Sequence, residues 1–239
     1  MRRAAELFTL DTQASDSRLV EASWRTRSEP EASFISVAAT HWEMVVTRQR
    51  GATQVTVRGP ETRATIVPIP QDAEFFGIQF TLGTFMPGLP PGELVDRSVT
   101  LPLATSTSFR FDGSPWDVPG PDDVDDFVDG LVHAGLLVHD PVAAAAVADG
   151  VEAAVGEDVD GLSSRSVERR VARATGLTQG LIRLIRRAER AVELLSVGVS
   201  APDAAHRAGY SDQSHLIRSL KRFVGQTPSQ VAVSAAGHA

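Results

Sequence analysis

The chain contains no cysteine, which excludes disulfides, thiolate metal sites and cysteine nucleophiles without fixing a compartment. It also lacks any apolar run near the ~18 residues a membrane helix needs, and its start, MRRAAELFTLDTQ, has no signal-peptide core. The expectation is a soluble, cytoplasmic protein with no membrane partner. Lysine is nearly missing: of 23 basic residues only Lys221 is one, a bias of the kind genomic base composition produces and to which no function is attached. Histidine is sparse in the half that reads as β-structure. Only His41 falls there, whereas His133, His139, His206, His215 and His238 lie in or beyond the helical half. A metal site on β-strands needs three or four converging ligands, so none is expected. There is no Gly-x-Ser-x-Gly elbow, phosphate loop or dinucleotide glycine pattern. Asp72/Glu74 and His41/Glu43 stand two apart and would share a strand face, but so do many unreactive surface pairs. The reading is therefore not an enzyme, with no cofactor.

What is present is enough to fold. With 239 residues and 42% hydrophobic content, the chain can bury one large core or two ordinary ones. The net charge of −7 is unevenly distributed. Residues 1–161 hold 11 arginines against 25 acidic residues, net −14, and residues 162–239 hold 12 basic against 5 acidic, net +7. A basic segment joined to an acidic one is the footprint of a nucleic-acid module attached to something else. An ordinary solvated basic helix face gives the same charge, so charge alone does not decide.

From about Phe34 to Phe80 short alternating runs recur: FISVAAT, EMVVTR, TQVTVRG, TRATIVPI and FFGIQF. β-branched and aromatic residues at period two between Gly and Pro breaks predict strands, and connections this short predict antiparallel pairing. GTFMPGLPPGEL interrupts the pattern, LVDRSVTLPL resumes it, and SPWDVPGPDD reads as a turn region. At PDDVDDFVDGLVHAGLLVHD the period becomes helical, with Phe127, Leu131 and either Ala134 or Gly135 on one face and carboxylates in the first turn. A calcium loop fails on spacing, since one starting at Asp125 puts Phe127 third and Leu136 twelfth. PVAAAAVADGVEAAV predicts a short helix, and GEDVDG a turn or linker.

The informative stretch is a repeat. GLSSRSVERRVARATGLT (161–178) aligns with GYSDQSHLIRSLKRFVGQT (209–227) with one residue inserted in the second copy. Each opens with Gly, one apolar residue and Ser, a turn feeding an N-cap, and each closes on a Gly suited to a left-handed C-terminal position. Inside, Val167/Val171 and Leu216/Leu220 predict buried stripes, while Arg169/Arg173 and Arg218/Arg222 share another face. A short helix with an exposed Arg/Gln/Ser face has the dimensions and donors for a major groove. Ahead of the second copy, VSAPDAAHRA predicts a helix with Ser200 as N-cap, Pro202 in the first turn and Asp203 at the capping-box position. Helix, Gly-containing turn and polar-faced helix make a helix-turn-helix. Between the copies, TQGLIRLIRRAERAVELLSVG predicts a long helix burying Leu181, Leu184, Ile185, Ala188, Val192 and Leu195. Arg183, Arg186, Arg187 and Arg190 lie outside that face, open to phosphate or to solvent.

These residues resemble the AraC family of bacterial transcription activators over about Asp140 to Val231; GYSDQSHLIRSLKRFVGQTPSQ is close to the family's signature around its second unit. The first unit is less complete, since GEDVDG leaves little room for a full helix before GLSSRSVERR. The resemblance implies two reading helices in successive major-groove segments of double-stranded DNA. By alignment it places Arg165, Glu168 and Arg169 of the first helix, and Gln213, Ser214, His215 and Arg218 of the second, at base-reading positions, with Arg173 and Arg222 added as DNA contacts. Arginine can be bidentate to guanine and glutamine to adenine, whereas Glu168 can only accept. His215 is equally open to a capping or packing role. HWEMVVTRQRG, VRGPETRAT and FFGIQFTLGTFMP look like the sensor-like domain of one branch of the family, often cupin-like, which binds a small-molecule effector or a second copy in a homodimer. RNA polymerase is a further partner if the chain activates.

The sequence reading is thus α+β: a small β-sheet or cupin-like sensor domain at 1–120, a helical linker at 121–139, and an all-α double helix-turn-helix domain at 140–239. The function expected is sequence-specific DNA binding that regulates transcription. The alternative is a β-domain that binds or converts a small molecule, with the helical region serving only as an interaction module.

Overall fold

In a computed structural model of the chain, residues 11–28, 33–148 and 163–236 are described. A β-rich unit comes first and a helical one follows. The β-unit is built on a six-stranded antiparallel sheet of strands β1 (Asp11–Gln13), β2 (Val20–Arg27), β4 (Glu43–Gln49), β5 (Ala52–Arg58), β7 (Ala73–Phe80) and β9 (Ser98–Leu101), in the order β1-β2-β7-β4-β5-β9. The predicted strands from Glu43 onward are found in register, with Val46 opposite both Val55 and Phe76. Sequence reading missed β2, although its VEASWRTR sets Val20, Ala22, Trp24 and Thr26 in alternation with Glu21, Ser23, Arg25 and Arg27. It also read SPWD as a turn, whereas β11 (Ser114–Asp117) pairs with β10 (Ser108–Phe111) in a hairpin.

The pleat gives this sheet two different faces. One is dry: Met44, Val46, Val55, Val57, Ile78 and Phe80 are each at most 1% exposed. They pack with Phe109 and with helix α2 (Val124–His133), whose Val124, Val128 and Leu131 are buried. The predicted stripe on that helix was turned by a step. Phe127 is only half-buried and Ala134 and Gly135 are exposed, because the helix ends at His133 and its i, i+4, i+7 apolar set starts at Val124. Trp42 anchors one end of this core, stacked 4.0 Å from Phe80 and donating its indole N–H to the Thr84 carbonyl at 2.6 Å.

The other face carries Trp24, Glu43, Val45, Arg58 and Phe75, and is covered by a two-stranded ribbon of β3 (Ser33–Ser36) and β6 (Thr65–Pro68). Between ribbon and sheet lies a cavity of about 740 Å³. Trp24 can lie flat on the sheet because its partner on β7 is Gly77, where a Cβ would fall 2.1 Å from Trp24 Cε2.

A short pair, β8 (Thr84–Phe85) with β12 (Val138–His139), carries the chain out of the β-unit into helix α3 (Pro141–Ala148). The rest is helical: α4 (Ser164–Thr175), α5 (Gln179–Ser196), α6 (Ala201–Arg207), α7 (Gln213–Phe223) and α8 (Pro228–Ala236); α1 (Pro91–Leu94) lies earlier, within the β-unit. Helix α5 is the spine, packed against α6, α7 and α8. It buries Ile182, Ile185, Ala188, Ala191, Val192 and Leu195, with Leu181 and Leu184 half-buried, so its stripe sits slightly off the predicted one. Two β-unit residues, Ala38 and Phe85, are buried within the helical core, so the two units share apolar packing. The expected end of the α3 helix beyond Ala148 and the GEDVDG turn lie outside the described residues. Among the described residues no helix is long and apolar enough to cross a membrane.

Candidate nucleic-acid interface

Both repeat copies form helices, the first with the ends its sequence calls for. Ser163 caps α4, its Oγ accepting from the Ser166 amide, and Gly176 closes it at φ 71°. In the second copy the inserted residue moves the cap by one: Asp212, not Ser211, caps α7 by accepting from the His215 amide at 2.7 Å. That bond, with one from Ser211, holds the Asp212 carboxyl below its usual range. Gly225 follows α7 at φ 74°. The buried stripes are as predicted, since Val167, Val171, Leu216 and Leu220 are each 0% exposed.

With those stripes turned inward, the polar faces point out. Arg165, Glu168, Arg169, Gln213, Ser214 and Arg218 are exposed, with Gln213 and Ser214 in the first turn of α7. His215 is different. It is half-buried, edge-on to Tyr210 at 5.1 Å, with Nδ1 3.2 Å from Ser211 Oγ, so packing and capping already engage it. Arg173 and Arg222 are exposed too, but their guanidinium groups lie over rings, Arg173 at 5.7 Å from Phe85 and Arg222 at 4.8 Å from Phe223.

The turn of the second unit is held from behind. Ser200 caps α6 by accepting from the Asp203 amide, and its hydroxyl donates to the Asp203 carboxylate at 2.6 Å. Small Ala204 and Ala205 are buried. Tyr210 is buried after the turn, its hydroxyl 2.8 Å from Ser219 Oγ on α7. Arg187 reaches over from α5, 4.5 Å above the Tyr210 ring, and donates to the Gly209 carbonyl at 3.2 Å. Arg186 donates to the Val147 carbonyl at 3.0 Å. Of the four α5 arginines left open by sequence, two are therefore internal struts, while Arg183 and Arg190 are exposed. Arg170 pairs with Asp140 at 2.8 Å and ties α4 to the start of α3. Residues 149–162, which run up to α4 and on which the completeness of the first unit depends, lie outside the described residues.

The end of α7 is finished by the β-unit. A helix leaves its last carbonyls without partners. Here the Arg222 carbonyl accepts from the Ala64 amide at 2.8 Å and the Phe223 carbonyl from the Ala38 amide at 2.7 Å. Ala38 follows β3 and Ala64 precedes β6, so the ribbon covering the cavity also holds the end of the second reading helix. Sequence reading missed this contact.

The cavity is the second candidate site. Phe34, Ile35, Val45, Val67 and Phe75 give it apolar walls, and one end is polar. There Arg58 donates to Glu43 at 3.0 Å, to Glu61 at 2.6 Å and to Ser36 at 3.2 Å, and Trp24 donates to Glu43 at 3.2 Å. His41 and Glu43 do share the cavity face, but not as an acid/base pair: Glu43 is engaged by Arg58 and Trp24, and His41 Nδ1 is 2.9 Å from Gln79 Nε2. Burial pushes His41 below its usual range, opposed by Glu21 and Glu61 and helped by Arg58. Glu74 pairs with Arg27, and Asp72 sits in a turn at φ 53°. Among the described residues no cluster of three or more histidine or acidic side chains is arranged to hold a metal.

Comparison with known proteins adds a family to this geometry. Residues 159–232 match the family described as helix-turn-helix domain. No curated protein matches the chain by sequence. Among solved structures the chain is similar to ToxT from Vibrio cholerae: an apo variant from strain SCE256 with TM-score 0.45 and 9% identity, over 93% of this chain and 100% of that one. A second is ToxT from strain O395 bound to (E)-4-(8-methylnaphthalen-1-yl)but-3-enoic acid, with TM-score 0.44 and 9% identity, over 89% and 98%.

Proposed function

We propose, from the premise that residues 159–232 are a helix-turn-helix domain of the AraC type, that the chain is a sequence-specific DNA-binding regulator of transcription. The observation that carries this is α7. Its Leu216 and Leu220 are fully buried, its turn is braced by Tyr210 and Arg187, and its first turn presents Gln213 and Ser214 to solvent. A helix fixed from behind with amide and hydroxyl groups free at its N-terminal end is what major-groove reading requires. Arg165, Glu168 and Arg169 form the corresponding exposed face on α4. Arg173 and Arg222, already lying over rings and further along their helices, are assigned to phosphate rather than bases. His215 is assigned to shaping the turn, with base contact secondary.

The β-unit is read as the sensor, and the cavity as its effector site. About 740 Å³ with apolar walls and a few convergent polar groups is the size and character of a small-molecule site. An effector acts only through differential affinity for two conformations. The ribbon β3–β6 supplies the connection, since it covers the cavity and caps α7. The units proposed are a β sensor at 1–120, a connecting segment at 121–139 whose helix α2 packs into the sensor's own core, and a DNA-binding region at 140–239. A second copy of the chain, and RNA polymerase for an activator, are the further partners of this reading.

The experiment is selection of binding sites by the purified chain from random duplexes. The expected result is an enriched motif with two half-elements about one helical turn apart, retained against excess random DNA. Recovery of duplexes without any enriched motif would contradict the reading.

A further inference from the structure

The cavity's polar end has a charge and hydrogen-bond imbalance that specifies what it takes. Two carboxylates, Glu43 and Glu61, bracket a single guanidinium, Arg58. Glu43 has both oxygens engaged, Oε1 by Arg58 and Oε2 by Trp24. Glu61 has only one engaged: Oε1 accepts from Arg58, while Oε2 is buried without a partner. His41 and Gln79, the other polar groups at this end, engage each other. Because burial holds His41 toward its neutral form, it adds little positive charge. The remaining cation on the lining, Arg97, is exposed beside Asp96. Among the described residues this end therefore carries one carboxylate charge in excess and one acceptor lacking a donor. An unpaired buried acceptor is costly until a donor arrives, and a charged donor satisfies it best. An anionic ligand would bring like charge to the same place.

The rest of the cavity is mainly apolar, with threonines among its lining. Trp24 lies flat over Gly77, and Val45, Phe34 and Phe75 continue the wall. Thr26, whose Oγ1 is a second buried atom without a partner, also lines it. Thr26 is opposite Phe75 on β7, while Gln79 is opposite both Ala22 and Glu43. Four residues along a strand separate the two levels, roughly 13 Å.

The geometry points to an organic amine as the ligand class: a cationic head meeting the Glu61 carboxylate and an apolar, aromatic-compatible body lying along Trp24 toward Thr26. This rests on the reading of the cavity as an effector site.

The test uses three probes of one shape, 4-phenylbutylamine, 4-phenylbutanol and 4-phenylbutyrate, titrated calorimetrically into the full chain at neutral pH. They are titrated in parallel into Glu61→Gln and Thr47→Trp variants whose thermal unfolding shows them folded. Thr47 lines the cavity, so a tryptophan there occupies it. The expected result is amine binding at least tenfold tighter than carboxylate, with the alcohol between. Glu61→Gln should remove that preference while sparing the alcohol, and Thr47→Trp should weaken all three. Alcohol binding that Thr47→Trp abolishes, with the amine no tighter than the carboxylate or unaffected by Glu61→Gln, would overturn the amine assignment and leave the cavity reading standing. Failure of all three to bind, or binding indifferent to Thr47→Trp, would overturn both.

Discussion

The amide of Ala38 donates to the carbonyl of Phe223 at 2.7 Å, so the β-unit completes the C-terminal end of α7. Gly225 makes the approach feasible. A Cβ there would meet Ile35 Cγ2 at 3.0 Å and Ala64 Cβ at 3.2 Å, and its φ of +74° is one that side chains resist.

Two glycine substitutions separate strain from contact. Gly198 has φ +84° with open space around it, so Gly198→Ala should cost only the left-handed penalty, about 1–2 kcal/mol. Gly225→Ala carries a similar strain and also pushes on Ile35 and Ala64. It is expected to cost more in thermal unfolding, and to increase amide exchange at Ala38 and Ala64, which Gly198→Ala should leave alone. Equal exchange in the two variants would mean that the ribbon does not depend on this contact.

Arg187 and Arg183 lie on the same helix and should behave differently. Arg187→Ala removes a donor to Gly209 and a cation over Tyr210. A loss of about 1–3 kcal/mol in stability is expected, from a charged hydrogen bond and a ring contact. Arg183 is exposed, and Arg183→Ala should change stability by less than about 0.5 kcal/mol. Chemical denaturation of both variants checks this, and similar losses in the two would remove Arg187 from its bracing role.

Stability should fall on mild acidification. Burial lowers His41 in the folded state, with Arg58 adding to the effect; His139 is lowered too, by burial and then Arg18. The unfolded chain therefore binds these protons first, and stability rises with pH where the unfolded state holds more protons. The contribution is complete above the unfolded value near 6.5 and is lost as pH falls through the lower folded values. Denaturation midpoints between pH about 7.5 and 5 should decline, and a His41→Gln, His139→Gln double variant should decline less steeply. An identical slope in that variant would refute the assignment.

Much of the helical half was legible because its signals are local. Ser163, Ser200, Gly176 and the Val167/Val171 and Leu216/Leu220 stripes need only neighbours three or four residues away, and they act as read. The cap at Asp212 instead of Ser211 shows the limit, since one inserted residue leaves two acceptors in competition. The β-half was less legible because its logic is non-local. β2 sets Ala22, Trp24 and Thr26 on the cavity wall against Ser23 and the exposed Arg25 and Arg27, and with so few large apolar residues its alternation was passed over. Arg58 and Glu61 lay in plain view in VRGPETR, but only the folded sheet, where Glu43 stands opposite Arg58, brings Glu43 and Trp24 to them. Arg186 and Arg187 read as surface because their acceptors, the carbonyls of Val147 and Gly209, have no signature in sequence.

Gln213 is expected to read a base and Arg222 to position the DNA backbone. Both are exposed on α7, nine residues apart, Gln213 at the free end and Arg222 at the end held by Ala64. The measurement is affinity for a selected duplex, each of its single-base variants and random DNA, at several salt concentrations, for the parent chain, Gln213→Ala and Arg222→Ala. Gln213→Ala should lose about 1–3 kcal/mol on the selected site, flatten preference at one or two adjacent base pairs and leave random DNA almost unaffected. Arg222→Ala should weaken every duplex alike and reduce the salt slope by about one. If Gln213→Ala lowers affinity uniformly and keeps every base preference of the parent, α7 does not read DNA through its first turn.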